Sequence, residues 1–155
     1  MLFRSQVPVK MRPLWPATQP IRVTAGPQAE YFTKAGLETF HSTEYRVSAR
    51  ADRQGIRTEG AAVEIAKGPD IISDPTPLGA VQIPGDGQPI ILHRDGQVTG
   101  GYAKIATVIA ADLDRLGQMV AGDALRFELM TRDEALAAAE QSRQRLACLV
   151  AILES

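Results

Sequence analysis

Residues 97–104, Gln97-Val98-Thr99-Gly100-Gly101-Tyr102-Ala103-Lys104, carry the densest set of groups able to hold a small polar molecule. On an extended segment alternate residues share a face, so Gln97 goes with Thr99 and Tyr102 with Lys104. Gly100 and Gly101 let the backbone turn tightly and bring amide donors close to a ligand. Amide, hydroxyl, phenol and ammonium groups around one concavity suit a carboxylate, a ureido group or an amide carbonyl. The competing reading is a tight turn between strand and helix, with Lys104 in solvent. A second glycine-rich loop, Gly85-Asp86-Gly87, is bracketed by Gln82 and Gln88. Asp-Gly is an ordinary hairpin signal. The functional alternative is that Gln82 or Gln88 offers an amide to a neutral polar ligand. Arg50 and Arg53 flank a charged turn, either as an exposed ion-pair cluster of little energetic weight or as a clamp on an anionic group.

Other chemistries lack their residues. No nucleophile–histidine pair, phosphate loop or hydride-cofactor fingerprint is present. His41 and His93 lie far apart with no cysteine cluster beside them, which argues against zinc. The single cysteine, Cys148, has no internal disulfide partner, and its apolar surroundings predict a small buried hydrophobe. A net charge of −1 with interspersed signs argues against nucleic acid, which needs a concentrated positive face. No secretory h-region and no apolar run of spanning length is visible, so the expected location is cytoplasmic, with no membrane contact.

The positioning elements follow from pattern. At 155 residues and 45% hydrophobic, the chain suits one ordinary domain with a core. Residues 1–20 hold Pro8, Pro13, Pro16 and Pro20 and read as a proline-rich arm or linker, with Trp15 as an anchor. Residues 21–130 carry short strand signals at 21–23, 45–47, 56–58, 79–83, 89–92 and 125–129. Asp74-Pro75-Thr76-Pro77 reads as a turn. Thr33 is placed to N-cap a helix through Phe40. Ile105, Val108, Ile109, Leu113, Leu116 and Met119 fit a helical stripe over 104–119, broken near 110–112, with Asp112 capping a second short helix. Thr131 and Glu134 form a capping box. They open a last helix, within 131–155, whose apolar face is Leu136, Ala139, Leu146, Leu149, Val150 and Leu153. The expected fold is mainly β with short helices and a C-terminal helix.

The segments VQIPGDGQPIIL (81–92) and DGQVTGGYAKIATVIAADLDRLGQ (95–118), with GPQAEYFT (26–33) and ARADRQGIRTEG (49–60), resemble the biotin-dependent carboxyltransferase-domain family. Its members include allophanate hydrolase subunit 2, the 5-oxoprolinase C subunit and the antagonist of the sporulation kinase inhibitor KipI. The chain is also similar to part of the carboxyltransferase region of urea carboxylase. The resemblance implies a cyclophilin-like β-barrel over residues 21–130. It covers the family's C-terminal half only, so the N-terminal half, with its TTVQDLGRxG-like segment, counts as a missing partner. The family block reads closer to QTTGGYPKI; Val98 and Ala103 depart from it, while Gln97, Thr99, Tyr102 and Lys104 remain.

The implied function is a subunit or fragment of a 5-oxoprolinase or allophanate hydrolase subunit 2-type complex, a hydrolase or carboxyltransferase acting on a small amide, lactam or ureide. The chemistry would be ATP-dependent 5-oxoproline cleavage or biotin-linked carboxyl transfer. Lys104, Tyr102 and Thr99 would be catalytic. Gln97, Gly100, Gly101, Gln82, Gln88, Arg50 and Arg53 would bind substrate. No cofactor is intrinsic: ATP or biotin would enter with the complex, since no lysine here sits in a biotin-attachment context. The implied partner is a cyclophilin-like protein of the 5-oxoprolinase B-subunit type or the allophanate hydrolase subunit 1 type. One alternative is a non-catalytic regulatory binding module of the KipI-antagonist type. Another is a truncated frame that self-associates through a normally covered barrel face.

Overall fold

The structure, a computed structural model, describes residues 19–153. The expected arm, including Trp15, lies outside the described residues apart from Gln19 and Pro20. Among the described residues ten strands form two sheets: β1 (Ile21–Ala25), β2 (Tyr45–Val47), β3 (Gly55–Glu59), β4 (Asp70–Pro75), β5 (Ala80–Gln82), β6 (Ile90–Leu92), β7 (Thr99–Tyr102), β8 (Lys104–Val108), β9 (Ala124–Leu125) and β10 (Phe127–Leu129). The larger sheet runs β10-β1-β8-β5-β6-β3-β2-β9, and β4 with β7 makes a separate ribbon. Its two outer strands are one stretch of chain broken only at Arg126. β9 pairs with β2 (Tyr45↔Leu125) and β10 runs parallel to β1 (Ile21↔Phe127). Residues 124–129 thus bridge both ends of the sheet and leave a nearly closed barrel, which removes most of the exposed edge.

Strands with one face in the core alternate as their sequences predict. Ile21 and Val23 of β1 and Tyr45 and Val47 of β2 point inward. They meet Ile91, Ile105 and an aromatic cluster in which Phe40 stacks on Phe127 at 4.4 Å between ring centres. Phe40 comes from α1 (Lys34–Ser42), whose N-cap is the predicted one: Thr33 Oγ1 accepts from Gly36 N at 2.9 Å.

Three expectations about β4, β7, β8 and the helix after Asp112 are overturned. Residues 104–108 are the barrel strand β8, not a helix. β8 is buried on both faces, so its alternation is erased and Ile105, Val108 and Ile109 mimic helical spacing. Residues 99–102 and 74–75 are strand, not loop and turn: β7 pairs with β4, with Asp74 opposite Gly100 and Pro75 opposite Thr99. Asp112 precedes α2 (Leu113–Leu116) without capping it, because its carboxylate accepts hydrogen bonds from the Arg22 side chain and backbone instead.

The last helix, α3 (Arg132–Leu153), begins with the expected box: Glu134 Oε2 accepts from Thr131 N at 2.8 Å, and Thr131 Oγ1 accepts from Glu134 N at 3.3 Å. Its apolar face is not buried. Leu136, Leu146 and Val150 are exposed and only Ala139 and Leu149 are half-covered, while the Leu153 side chain falls outside those described. Cys148 is exposed as well, against the expectation of a buried thiol, because no other described element packs over this part of α3.

One pH dependence follows from α1. Burial pushes the His41 imidazole below its ordinary range, with a backbone hydrogen bond at Phe127 opposing, and its Nδ1 is buried without a partner among the described residues. The folded state therefore disfavours the charged ring. That contribution is complete above the unfolded value of about 6.5 and is lost as pH falls through the lower folded value. The unfolding midpoint should drop as pH is lowered below about 6.5, and His41→Gln should flatten that part of the curve. An unchanged slope in the variant would refute the assignment.

Candidate functional site

Two cross-strand pairs face each other between barrel and ribbon. In the barrel, Gln82 of β5 opposes Lys104 of β8, just after a register shift at Val81. Such partners project to one side of a sheet, and irregular pairing re-aims side chains. In the ribbon, Asp74 of β4 opposes Gly100 of β7. Gly100 lets the ribbon sit directly on the Gln82 amide: a Cβ there would lie 2.4 Å from Gln82 Nε2 and 3.0 Å from Thr76 Cγ2. With the ribbon this low, Asp74 Oδ2 reaches 3.0 Å from Lys104 Nζ. Gln28 links the two layers. Its Nε2 donates to Asp74 Oδ2 at 3.3 Å, and its Oε1 accepts from Lys104 N at 3.1 Å. Thr76 is buried and anchors the ribbon, its hydroxyl donating to Gln97 O and its backbone N donating to Val98 O.

The electrostatics are uneven. Lys104 is 1% exposed, while the Asp74 side chain is 42% exposed. The ammonium of Lys104 holds the Asp74 carboxyl below the usual carboxylate range; desolvation opposes this, and the Gln28 amide assists. Asp74 is therefore ionised at neutral pH. The Asp74–Lys104 contact is close but poorly directed. By distance it is an ion pair, yet Nζ has no well-aligned acceptor among the described residues. Gln82 Nε2 is likewise buried with no partner. A buried polar group left unpaired costs about 1–3 kcal/mol, more when charged, so native interiors rarely keep two side by side. The cluster offers two inward donors, one cationic, below a partly open carboxylate. It is chemically complementary to a carbonyl or carboxylate oxygen.

The sequence-derived candidates divide. Lys104, Gln82 and Gly100 come together. Gln97 and Thr99 are exposed and Tyr102 is 40% exposed on the ribbon, outside the buried cluster. Gly101 lies in β7 with room around it. Both atoms of the Gln88 amide bond the backbone of Gly60, at 2.8 and 3.1 Å, so this side chain braces a loop. Arg53 pairs with Asp95 at 2.8 Å, and Arg50 is exposed beside Ser48. Asp74 and Gln28 were not anticipated. Each stands next to a proline and reads locally as turn; only the pairing of β4 with β7 and of β5 with β8 reveals them.

A family described as carboxyltransferase domain, subdomain A and B, matches residues 3–129. The chain belongs to this carboxyltransferase domain family. It is 35% identical over 125 residues to the 5-oxoprolinase C subunit of Escherichia coli, covering 81% of this chain and 40% of that protein. It is 38% identical over 115 residues to the 5-oxoprolinase C subunit of Haemophilus influenzae, covering 73% of this chain and 37% of that one. The crystal structure of K. lactis urea amidolyase superposes with a TM-score of 0.83 at 25% identity, covering 92% of this chain and 9% of that one. The chain thus spans about two fifths of the 5-oxoprolinase relatives it matches. The family match stops before α3, whereas a 92% share cannot be filled by residues 1–129 alone, so the likeness to urea amidolyase extends into the C-terminal helix.

In this carboxyltransferase domain the two ribbon glycines should behave differently. A methyl group at Gly100 collides with Gln82 Nε2, whereas at Gly101 the nearest atom, Ile71 O, is 3.6 Å away, an ordinary contact. Gly100→Ala should displace the Gln82 amide and lift the ribbon, exposing Lys104. Gly101→Ala should be nearly silent, within about 0.5–1 kcal/mol. Hydrogen exchange at β4 and β7 separates them, and equal protection in both variants would count against the packing described.

Proposed function

We propose that this chain is the ligand-holding carboxyltransferase piece of a larger enzyme of the 5-oxoprolinase or urea carboxylase type, acting on a small planar amide, lactam or ureide. The observation that carries this reading is the buried Gln82 Nε2, with no partner among the described residues, beside the buried Lys104 Nζ, whose counterion Asp74 is poorly directed, on neighbouring strands. A lactam or ureido carbonyl has two lone pairs in one plane and can satisfy both. Lys104 would stabilise negative charge growing on that oxygen. Asp74, ionised at the rim, would orient an N–H of the same ligand. Gly100 would set how closely the ribbon lies over these donors. Thr99, Tyr102 and Gln97, on the open side of the ribbon, would meet whatever closes over it. A biotin ureido ring presents the same carbonyl, so the donor set also fits a biotin carried on another protein, which would supply the carboxyl group. ATP would be handled elsewhere in the assembly.

The two enzyme types are separated by different supports: sequence identity favours the 5-oxoprolinase side, and the extent of the likeness, into α3, favours the urea carboxylase side. Calorimetric titration of the chain, alone and co-purified with a partner of the 5-oxoprolinase B-subunit type, with 5-oxoproline, urea and free biotin should give saturable binding of at least one. Saturation by 5-oxoproline places the chain with the first type, and by urea or biotin with the second. Partner binding with no ligand in any arm would defeat the proposal and favour the regulatory-module reading.

A further inference from the structure

We propose that Gln28 is the positioning residue of the site, one side chain that fixes both the backbone of Lys104 and the rotation of the Asp74 carboxylate. The inference rests on the reading of Gln82, Lys104 and Asp74 as the place where a ligand is held. It begins where β1 ends. The pairing of β1 with β8 sets Ala25 opposite Ala106 and stops there. Carried on in the same register it would bring Pro27 opposite Lys104, and proline has no N–H to give. On the other side of β8 the ladder with β5 shifts just before Gln82 meets Lys104. Lys104 therefore sits where both neighbouring ladders falter.

Gln28 makes the missing rung. Its backbone N donates to Lys104 O at 3.4 Å, and its side-chain Oε1 accepts from Lys104 N at 3.1 Å. Buried backbone groups need partners, and at Lys104 this residue supplies one for each. The turn that delivers it lies hard against the strand. Gly26 N donates to Ile105 O at 2.9 Å, and a Cβ on Gly26 would overlap Lys104 O.

The other branch of the same amide turns to the ribbon. Gln28 Nε2 donates to Asp74 Oδ2 at 3.3 Å, and this is the oxygen that lies 3.0 Å from Lys104 Nζ. A carboxylate rotates freely about its last bond, and two donors on one oxygen select one rotation. An amide carries an acceptor and a donor on adjacent branches, so it can accept from Lys104 and donate to Asp74 at once. Around Asp74 stand Lys104 from β8, the neutral Gln28 from the turn after β1 and Gly100 from β7. The charge state of the carboxylate thus answers to Lys104 and Gln28.

Carboxyl NMR of the chain, labelled in aspartate, tests this together with calorimetry. Gln28→Glu keeps an oxygen for Lys104 N but sets a second carboxylate against Asp74. Gln28→Met keeps the volume and loses both side-chain bonds. The Asp74 titration midpoint should rise by about one pH unit in Gln28→Glu and by less in Gln28→Met, while both variants unfold near the wild-type temperature. Of 5-oxoproline, urea and free biotin, the ligand that saturates wild type should bind Gln28→Met about tenfold more weakly. Its loss of binding in acid should begin at higher pH in Gln28→Glu. A midpoint unmoved in both variants overturns the inference. So does undiminished affinity in Gln28→Met, and in either case the ligand reading stands. A wild type that binds none of the three, with the Asp74 midpoint still moving, defeats the ligand reading and upholds the grip of Gln28 on the carboxylate. Should Gln28→Met fail to fold, Gln28→Glu carries the same tests.

Discussion

Lys104→Met will lose ligand binding while keeping, or slightly raising, the stability of the fold. The two halves of that statement have separate causes. A charge-assisted hydrogen bond to a buried ligand oxygen contributes about 1.5–3 kcal/mol, so its removal should weaken binding roughly ten- to a hundredfold. Turnover of the assembled enzyme should fall further, because the same ammonium would meet the charge that develops on the carbonyl oxygen. Stability moves the other way. Lys104 is buried, its Nζ has no well-directed acceptor among the described residues, and its counterion Asp74 is nearly half open to solvent. Methionine fills the volume of the lysine stem and removes a desolvated charge, while Asp74 regains water. Replacing a buried ion by an apolar group of similar shape is often neutral or favourable. A lysine kept only for architecture would give the opposite pattern: unchanged affinity and a large drop in unfolding temperature. Calorimetry with the best ligand and thermal unfolding of the same preparation read both quantities. Undiminished affinity, or marked destabilisation, sinks the role proposed for this residue.

How much of this was legible in the sequence depended on the distance over which each signal acts. Local signals succeeded. Thr33 and the Thr131–Glu134 box begin helices where predicted, and β1 and β2 show the alternation of half-buried strands. Signals that depend on what covers a strand failed. β8 is buried on both faces, so its residues lost their period of two. The glycine pair looked like a bend because glycine permits one; in the structure Gly100 serves close approach inside a strand. Lys104 and Gln82 were identified from residue type, but as members of two separate loops. Nothing local says that they are cross-strand neighbours, or that Asp74, 30 positions before Lys104, is the counterion. The same limit hid the pairing of Arg22 with Asp112, 90 residues apart.

That pairing supports the prediction with the largest expected effect on stability. Asp112→Ala should destabilise the barrel by about 3–5 kcal/mol, lowering the unfolding midpoint by on the order of 10 °C or more. The Asp112 side chain is only 7% exposed and accepts from three donors of Arg22: the backbone N at 2.8 Å, Nη2 at 2.5 Å and Nε at 3.1 Å. It thereby fixes β1, the strand that joins β10 to β8. Arg115, also buried, donates to the carbonyls of Pro20 and Gln19 just before β1. Burial pushes the Arg115 guanidinium below its ordinary range, Asp112 opposes that push and Arg22 adds to it. Without the carboxylate, two arginines face each other with their nearest anion gone and the Arg22 amide loses its acceptor. Asp112→Asn keeps an oxygen for that amide and should cost distinctly less than alanine. The pair Arg22→Met with Asp112→Leu should recover most of the loss, because it removes the stranded charge together with its partner. Near-additive single effects in that double-mutant cycle would mean that Asp112 acts through something other than Arg22. The entry of the chain into the barrel would then rest on the Arg115–carbonyl contacts alone.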